Sequence, residues 1–361
     1  MSEQLSSNKI IDLSPVLLVQ ITCETCIFLA FLGLSIWYMK SSNDERSVLL
    51  SPNELVTQAD DAFNNRDMSL ALFKYWQGVQ AMENQSQEAR GRLLHAHVRI
   101  SDIYFQSGWV EDAFQHLEKA SNIAPDNIII HLLKGKLYID QGERALAVEA
   151  FLKVLQQSNN NSEAHYQLGI LYQGANQFDL AINHYQQAIN SDVDLNSSAN
   201  IPIAYGLLSR LQLARTYSRK SQKLQYSDQT LTDGQIQNLN QMTDSALQLL
   251  VEAVDLSPNF VEAKQELISR LYGQASGLER GQGDMRLYDQ ALLVYQQIVS
   301  LDPEEVDAWL SMGQIYRSFL EEPDSALEAF QVAYSLDPRT DTLAEIRTLE
   351  QELGLEINNK N

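Results

Sequence analysis

Six histidines, a Cys-x-x-Cys and one acid inside an apolar run are the residues of this chain whose types and spacing could do chemistry. His97, His131 and His165 recur at steps of 34 residues, and His116 and His184 are equivalent to each other under two such steps. Imidazoles ligating one zinc must each bring a nitrogen to about 2.0–2.1 Å of it, whereas neighbouring helices pack about 8–10 Å apart. Side chains on successive rungs of one ladder do not converge, so packing or partner contact is expected of all five. Cys23-Glu24-Thr25-Cys26 lies within the apolar run, without two further ligands and away from any βαβ pattern, which argues against zinc and redox roles. Gly281-x-Gly283 follows no strand pattern and opens no βαβ unit, so a nucleotide role is not expected. Spacing shows no grouping of nucleophile, base and orienter. No catalytic, cofactor-binding or metal residue is therefore assigned, no cofactor is expected, and the chain reads as not an enzyme.

The 34-residue period that excludes a histidine site also specifies the elements carrying it. Ile100-Ser101-Asp102-Ile103-Tyr104, Lys134-Gly135-Lys136-Leu137-Tyr138 and Leu168-Gly169-Ile170-Leu171-Tyr172 stand in register, followed at a fixed interval by Ala113, Ala147 and Ala181. This pattern resembles the tetratricopeptide (TPR) repeat. The expected roles are a small residue that lets two helices approach, a tyrosine filling the gap beside it and an alanine where the second helix crosses. The resemblance implies an all-α fold, a right-handed TPR superhelix or α-solenoid, and a scaffold that specifies no reaction.

Loosened, the template covers about residues 52 to 353. Ala59, Ala71 and Tyr75 fit a unit from Pro52 to Gln85; Ala214, Tyr217, Ala246 and Ala253 fit a fifth; Leu267, Ala291 and Tyr295 a sixth; and Trp309, Gly313, Tyr316, Ala326 and Phe330 a seventh. Pro125, Pro258, Pro303 and Pro338 close second helices, which a proline cannot continue. Repeats 1–4 are assigned to 52–195, a hinge to 196–206, repeats 5–7 to 207–340, a capping helix to 341–354 and a tail to 355–361. A second hinge is read around Ser86 to Leu93. Insertions fall at about 218–241, where Thr232-Asp233 is a plausible helix cap, and at about 272–284, a flexible loop by composition.

After an N-terminal tail of residues 1–15, the run from Val16 to Met39 is apolar for 24 residues, followed by a linker over 40–51. At 1.5 Å per residue it reaches roughly 36 Å, enough to cross a hydrocarbon core of about 30 Å. Twelve Leu, Ile, Val and Phe residues contribute about −0.3 to −0.6 kcal/mol each and offset the roughly +2.5 to +3.5 that Glu24 costs, so a single transmembrane helix is expected. Trp37, Tyr38 and Lys40 read as its interfacial anchor. Gln20 and Glu24, at i and i+4, are candidates for contact with a second membrane helix, the alternative being a protonated carboxyl in a solitary helix. Lys9 before the span against Lys40 and Arg46 after it favours cytoplasmic repeats. The absence of cysteine beyond Cys26 points the other way, and the reading adopted is the extracytoplasmic side of a bacterial inner membrane, with the side left open.

A net charge of −21 argues against nucleic acid and anionic lipid as ligands of the repeats. The residues from Val261 onward hold 19 acidic and 8 basic side chains, a net of −11, whereas Arg210, Arg215, Arg219, Lys220 and Lys223 form a basic run that could dock a different partner. TPR geometry implies that first helices line a concave face, which gives Val98, Asp102, Phe105, Leu132, Lys136, Ile139, Tyr166, Ile170 and Gln173 as a groove for an extended or helical peptide. The expected function is a membrane-anchored TPR scaffold or adaptor that binds a protein or peptide, in assembly of an envelope or membrane complex. The alternative is a regulatory subunit that recruits and controls an enzyme.

Overall fold

The computed structural model describes residues 50–82, 89–191, 205–226, 231–280 and 285–355. The apolar run at 16–39, with Gln20, Cys23, Glu24 and Cys26, lies outside the described residues, as do 196–204 of the first expected hinge and 86–88 of the second. Among the described residues no helix is long and apolar enough to cross a membrane, and every regular element is helical.

The chain divides into two compact units, residues 1–96 and 97–361. In the first, α1 (Pro52–Asn64) opens at a capping box in which Ser51 and Glu54 each bond the other's backbone N–H. It pairs with α2 (Met68–Met82), and α3 (Arg90–Gln106) begins here and runs into the second unit. The Tyr75 hydroxyl, carried on a wholly buried ring, donates to Asp60, which also meets His95 Nε2 at 2.7 Å.

The second unit continues with α4 (Val110–Ile123) and then the pairs α5 (Ile128–Asp140) and α6 (Arg144–Gln157), α7 (Ser162–Gly174) and α8 (Phe178–Ser191), α9 (Tyr205–Gln225) and α10 (Asp233–Leu256), and α11 (Val261–Glu279) and α12 (Met285–Leu301). The last pair is α13 (Val306–Ile315), prolonged by a π-helical turn at Tyr316–Leu320, with α14 (Pro323–Leu336), and α15 (Thr340–Glu352) follows. Ile346 and Leu349 of α15 are buried against Leu327 and Phe330, while Glu345 and Glu352 hold Arg317 from outside. Within pairs the turns share one geometry: Gly108 and Gly142 sit at φ +79, Asn176 at +58, and the N–H three residues past the helix bonds back to Tyr104, Tyr138 or Tyr172.

Three of the pairs close on a glycine. A Cβ at Gly135 would lie 2.5 Å from the Phe151 ring, one at Gly169 would overlap the Tyr185 ring, and one at Gly313 would stand 2.8 Å from Phe330. The aromatic that fills this space therefore comes from the second helix and not, as the repeat pattern suggests, from Tyr138 or Tyr172 on the glycine's own helix. Those tyrosines are half-buried at the margin, Tyr172 stacked on His184 at 5.3 Å and Tyr138 meeting Phe114 at 5.3 Å.

Both insertions lengthen helices. Helices α9 and α10 have 21 and 24 residues against 13 and 14 in α7 and α8, and Thr232 forms the capping box that starts α10. The expected flexible loop at 272–284 is helical through Glu279, because the segment contains no proline and Ala275 is buried on the α11 stripe that Leu267, Ile268 and Leu271 begin. The seventh pair absorbs one extra residue: Ala326 follows Gly313 by 13 positions, where Ala147 follows Gly135 by 12. The π-turn takes up the difference, and Glu321 beyond it is left-handed at φ +54.

Gly169→Ala should destabilise the protein by about 1–3 kcal/mol, since the Tyr185 ring is wholly buried and the overlap outweighs the roughly 1 kcal/mol of helix propensity that alanine adds. Gly273→Ala, with nothing within 4 Å of its Cβ, should instead stabilise by up to about 1 kcal/mol. Urea denaturation of the two variants checks the opposite signs.

Candidate partner-binding surface

The residues expected to face a partner sit on α3, α5 and α7, and they divide by burial. Asp102, Phe105, Leu132, Lys136, Ile139, Tyr166 and Ile170 are half-exposed. Val98 and Gln173 are not available: Val98 is 8% exposed, and Gln173, at 6%, donates from its amide to Thr216 Oγ1 at 2.7 Å and accepts from the Tyr185 hydroxyl at 3.3 Å. Gln173 thus joins α7 to α9, a role its spacing alone did not reveal. Leu132 and Ile139 rest on the cluster of Phe151 and Leu168, and Tyr166 and Ile170 on Tyr185 and Leu213, so each presents one flank to solvent and one to the core. Tyr166 also packs on Tyr205 at 5.6 Å, and burial raises its hydroxyl pKa.

Polar bridges tie successive first helices together. Lys136 on α5 meets Glu163 on α7 at 2.5 Å, and Glu163 in turn bonds Tyr205 on α9, whose hydroxyl is pushed above its ordinary range by burial and then by that carboxylate. Arg215 on α9 reaches Glu266 on α11 at 3.1 Å, Arg270 holds the same carboxylate at 2.7 Å, and Tyr272 donates to Glu305 at 3.2 Å. Burial alone would raise the pKa of Glu266, but the two guanidinium groups outweigh it and hold the acid below its usual value.

The same bridges remove most of the basic run as a docking stripe. Arg210 is paired with Glu252 at 3.4 Å, Arg215 with Glu266, and Lys220 with Asp179 at 2.5 Å, each partner reached from another helix. The Lys223 ammonium lies 5.7 Å from the Phe178 ring centre. Three of the five cations therefore act inside the fold.

The histidines form pairs within repeats. His97 of α3 and His116 of α4 approach to 3.0 Å between their Nδ1 atoms, and His165 of α7 and His184 of α8 do the same. The first-helix ladder does not converge, yet each of these two rungs meets a histidine 19 residues later on its antiparallel neighbour. The equal separations, 97 to 116 and 165 to 184, were the signal in the sequence. His165 Nε2 stands 2.9 Å from the Asn159 carbonyl, which can only accept, so Nε2 carries the hydrogen and neutral His165 receives the Nδ1–H of His184. His131 lacks such a partner because Ala150 occupies the equivalent site. Among the described residues no group of three or more histidine, cysteine, aspartate or glutamate side chains could hold a metal ion.

Family models described as tetratricopeptide repeat match residues 94–127, 132–192 and 280–339. The TPR repeat-containing protein YpiA of Bacillus subtilis is 24% identical over 225 residues, covering 60% of this chain and 50% of that protein. The anaphase-promoting complex subunit CDC16 of Saccharomyces cerevisiae is 25% identical over 150 residues, 36% of this chain and 18% of that one. The chain thus spans half the length or less of these curated relatives. The C-terminal part of a TPR repeat-containing protein from Cytophaga hutchinsonii superposes with a TM-score of 0.52 at 14% identity, over 81% of this chain and 99% of that one, a likeness of fold alone.

Acid should loosen the histidine pairs. Burial depresses His97 to about 4, His116 to about 3 and His184 to about 4, with Lys119 adding to the first two. Unfolded histidines titrate near 6.5, so between pH 6.5 and about 4 the unfolded chain binds more protons and stability falls as pH falls, by about 1 kcal/mol per pH unit for each such group. Urea midpoints measured from pH 7 to 4.5 should show this slope, and His116→Gln with His184→Gln should flatten it.

Proposed function

We propose that this chain, a run of tetratricopeptide repeats, is a scaffold that binds a protein or peptide partner across the first helices of its regular repeats. The observation that carries the reading is the row of half-exposed apolar side chains Phe105, Leu132, Ile139, Tyr166 and Ile170 on three consecutive first helices. An apolar row interrupted by the charges of Asp102 and of the Lys136–Glu163 bridge suits a peptide that brings its own apolar anchors and few charges. Rigid helices pre-organise these groups, which limits the entropy lost on binding.

Phe105→Ala combined with Ile170→Ala should weaken partner binding by tenfold or more while leaving the helical circular dichroism unchanged. The measurement is quantitative mass spectrometry of proteins retained by wild type and by the variant, followed by affinity measurement on the most depleted species. Equal retention of every species would refute the surface.

We further propose that Val16–Met39 anchors the scaffold in a bacterial inner membrane with the repeats on the extracytoplasmic side, on the strength of its length and hydropathy and of the absence of cysteine after it. The full chain should remain in the membrane pellet after alkaline carbonate extraction. Release into the supernatant would refute the anchor.

A further inference from the structure

Two departures from the regular repeat meet at one place in the second unit. The insertion in the sixth pair carries α11 on to Glu279 and starts α12 at Met285, and the extra residue of the seventh pair becomes the π-turn at Tyr316–Leu320. Together they line an open depression of about 520 Å³. Its apolar wall is a stacked pair, Tyr288 from α12 and Phe319 from the π-turn, with ring centres 3.7 Å apart and planes 11° apart. Tyr288 is buried, but Phe319 is 40% exposed. A π-turn re-aims the side chains that follow it, and such turns are concentrated at functional sites.

Most of the remaining lining is polar. Glu279 accepts from the Tyr295 hydroxyl at 2.8 Å through one oxygen, and Ser311 donates to the Asp307 carbonyl and also meets the Tyr295 hydroxyl. Gln314 adds an amide to the lining. The one lining cation, Arg280, is tethered by Nε to the Ser276 carbonyl of its own helix. The chain from Val261 onward is strongly acidic, with a net charge of −11.

We propose that this pocket binds a basic peptide segment carrying an aromatic or large aliphatic anchor. The anchor packs on Phe319 and Tyr288, a lysine or arginine beside it meets Glu279, and a peptide amide bonds to Gln314. The acid surplus of repeats 6 and 7 draws such a segment in and disfavours an acidic one. The site shares no residue with the row on α3, α5 and α7, so either can fail without the other.

A random dodecapeptide library displayed on phage is selected on the full chain and counter-selected on Phe319→Ala. Clones that depend on Phe319 are expected to place Lys or Arg next to Phe, Tyr, Trp or Leu. A synthetic peptide from the leading clone should lose tenfold or more in affinity for Phe319→Ala and for Glu279→Gln, a change that keeps the acceptor for Tyr295 and removes the charge. Its binding should be unchanged by Phe105→Ala with Ile170→Ala, and thermal melting establishes that each variant is folded. Failure to recover Phe319-dependent clones, an acidic consensus among them, or equal binding to all variants would overturn the proposal.

Discussion

A ring from one helix lying where the next helix has no side chain is the contact on which the rest of the second unit depends. Gly135 under Phe151, Gly169 under Tyr185 and Gly313 under Phe330 bring each pair so close that any Cβ would enter the ring. The rings are buried to within 2% or less of full exclusion, so they cannot swing aside as a surface side chain could. That approach sets the crossing, places Ala147, Ala181 and Ala326 at the second contact with no exposure, and so determines which stripe of each first helix is left facing outward. In repeat 2 Ser101 stands at the glycine position and satisfies itself by donating to the Ala113 carbonyl at 2.8 Å, which is how a polar atom is tolerated in a buried site.

Between pairs, ion pairs are added to a continuous apolar core. The Lys136–Glu163 and Arg215–Glu266–Arg270 bridges cross from one first helix to another. Such partly exposed pairs contribute modestly to stability, but they decide which charges remain to meet a partner. A basic run in the sequence becomes mostly internal bracing, and the acid surplus of the last repeats is what reaches solvent.

Insertions in this chain are spent on helix length. The inserted residues of the fifth and sixth pairs contain no proline, and in the sixth Ala275 stays on the buried stripe, so both insertions lengthen helices. A single extra residue cannot add a turn, so the seventh pair takes it as a π-turn and ends in a left-handed glutamate. Local strain of that kind persists only where the surroundings hold it, here the stack of Phe319 on Tyr288.

The repeat was legible in the sequence because a small residue, an alanine and a proline must recur at fixed offsets wherever two helices cross closely, and 34-residue spacing records that requirement without reference to anything distant. Helix starts at Thr232 and the stripe of α15 were legible for the same reason, being local. The partner of each glycine was not, since Phe151 and Tyr185 are chosen by the antiparallel return of the second helix and the tyrosine nearer in sequence is the more obvious candidate. Nor could spacing show that Gln173 would be buried against Thr216 or that Arg215 would find Glu266 51 residues away. Those depend on how one hairpin stacks on the next, an arrangement that only the packed core selects, and with it the side chains left to face a partner.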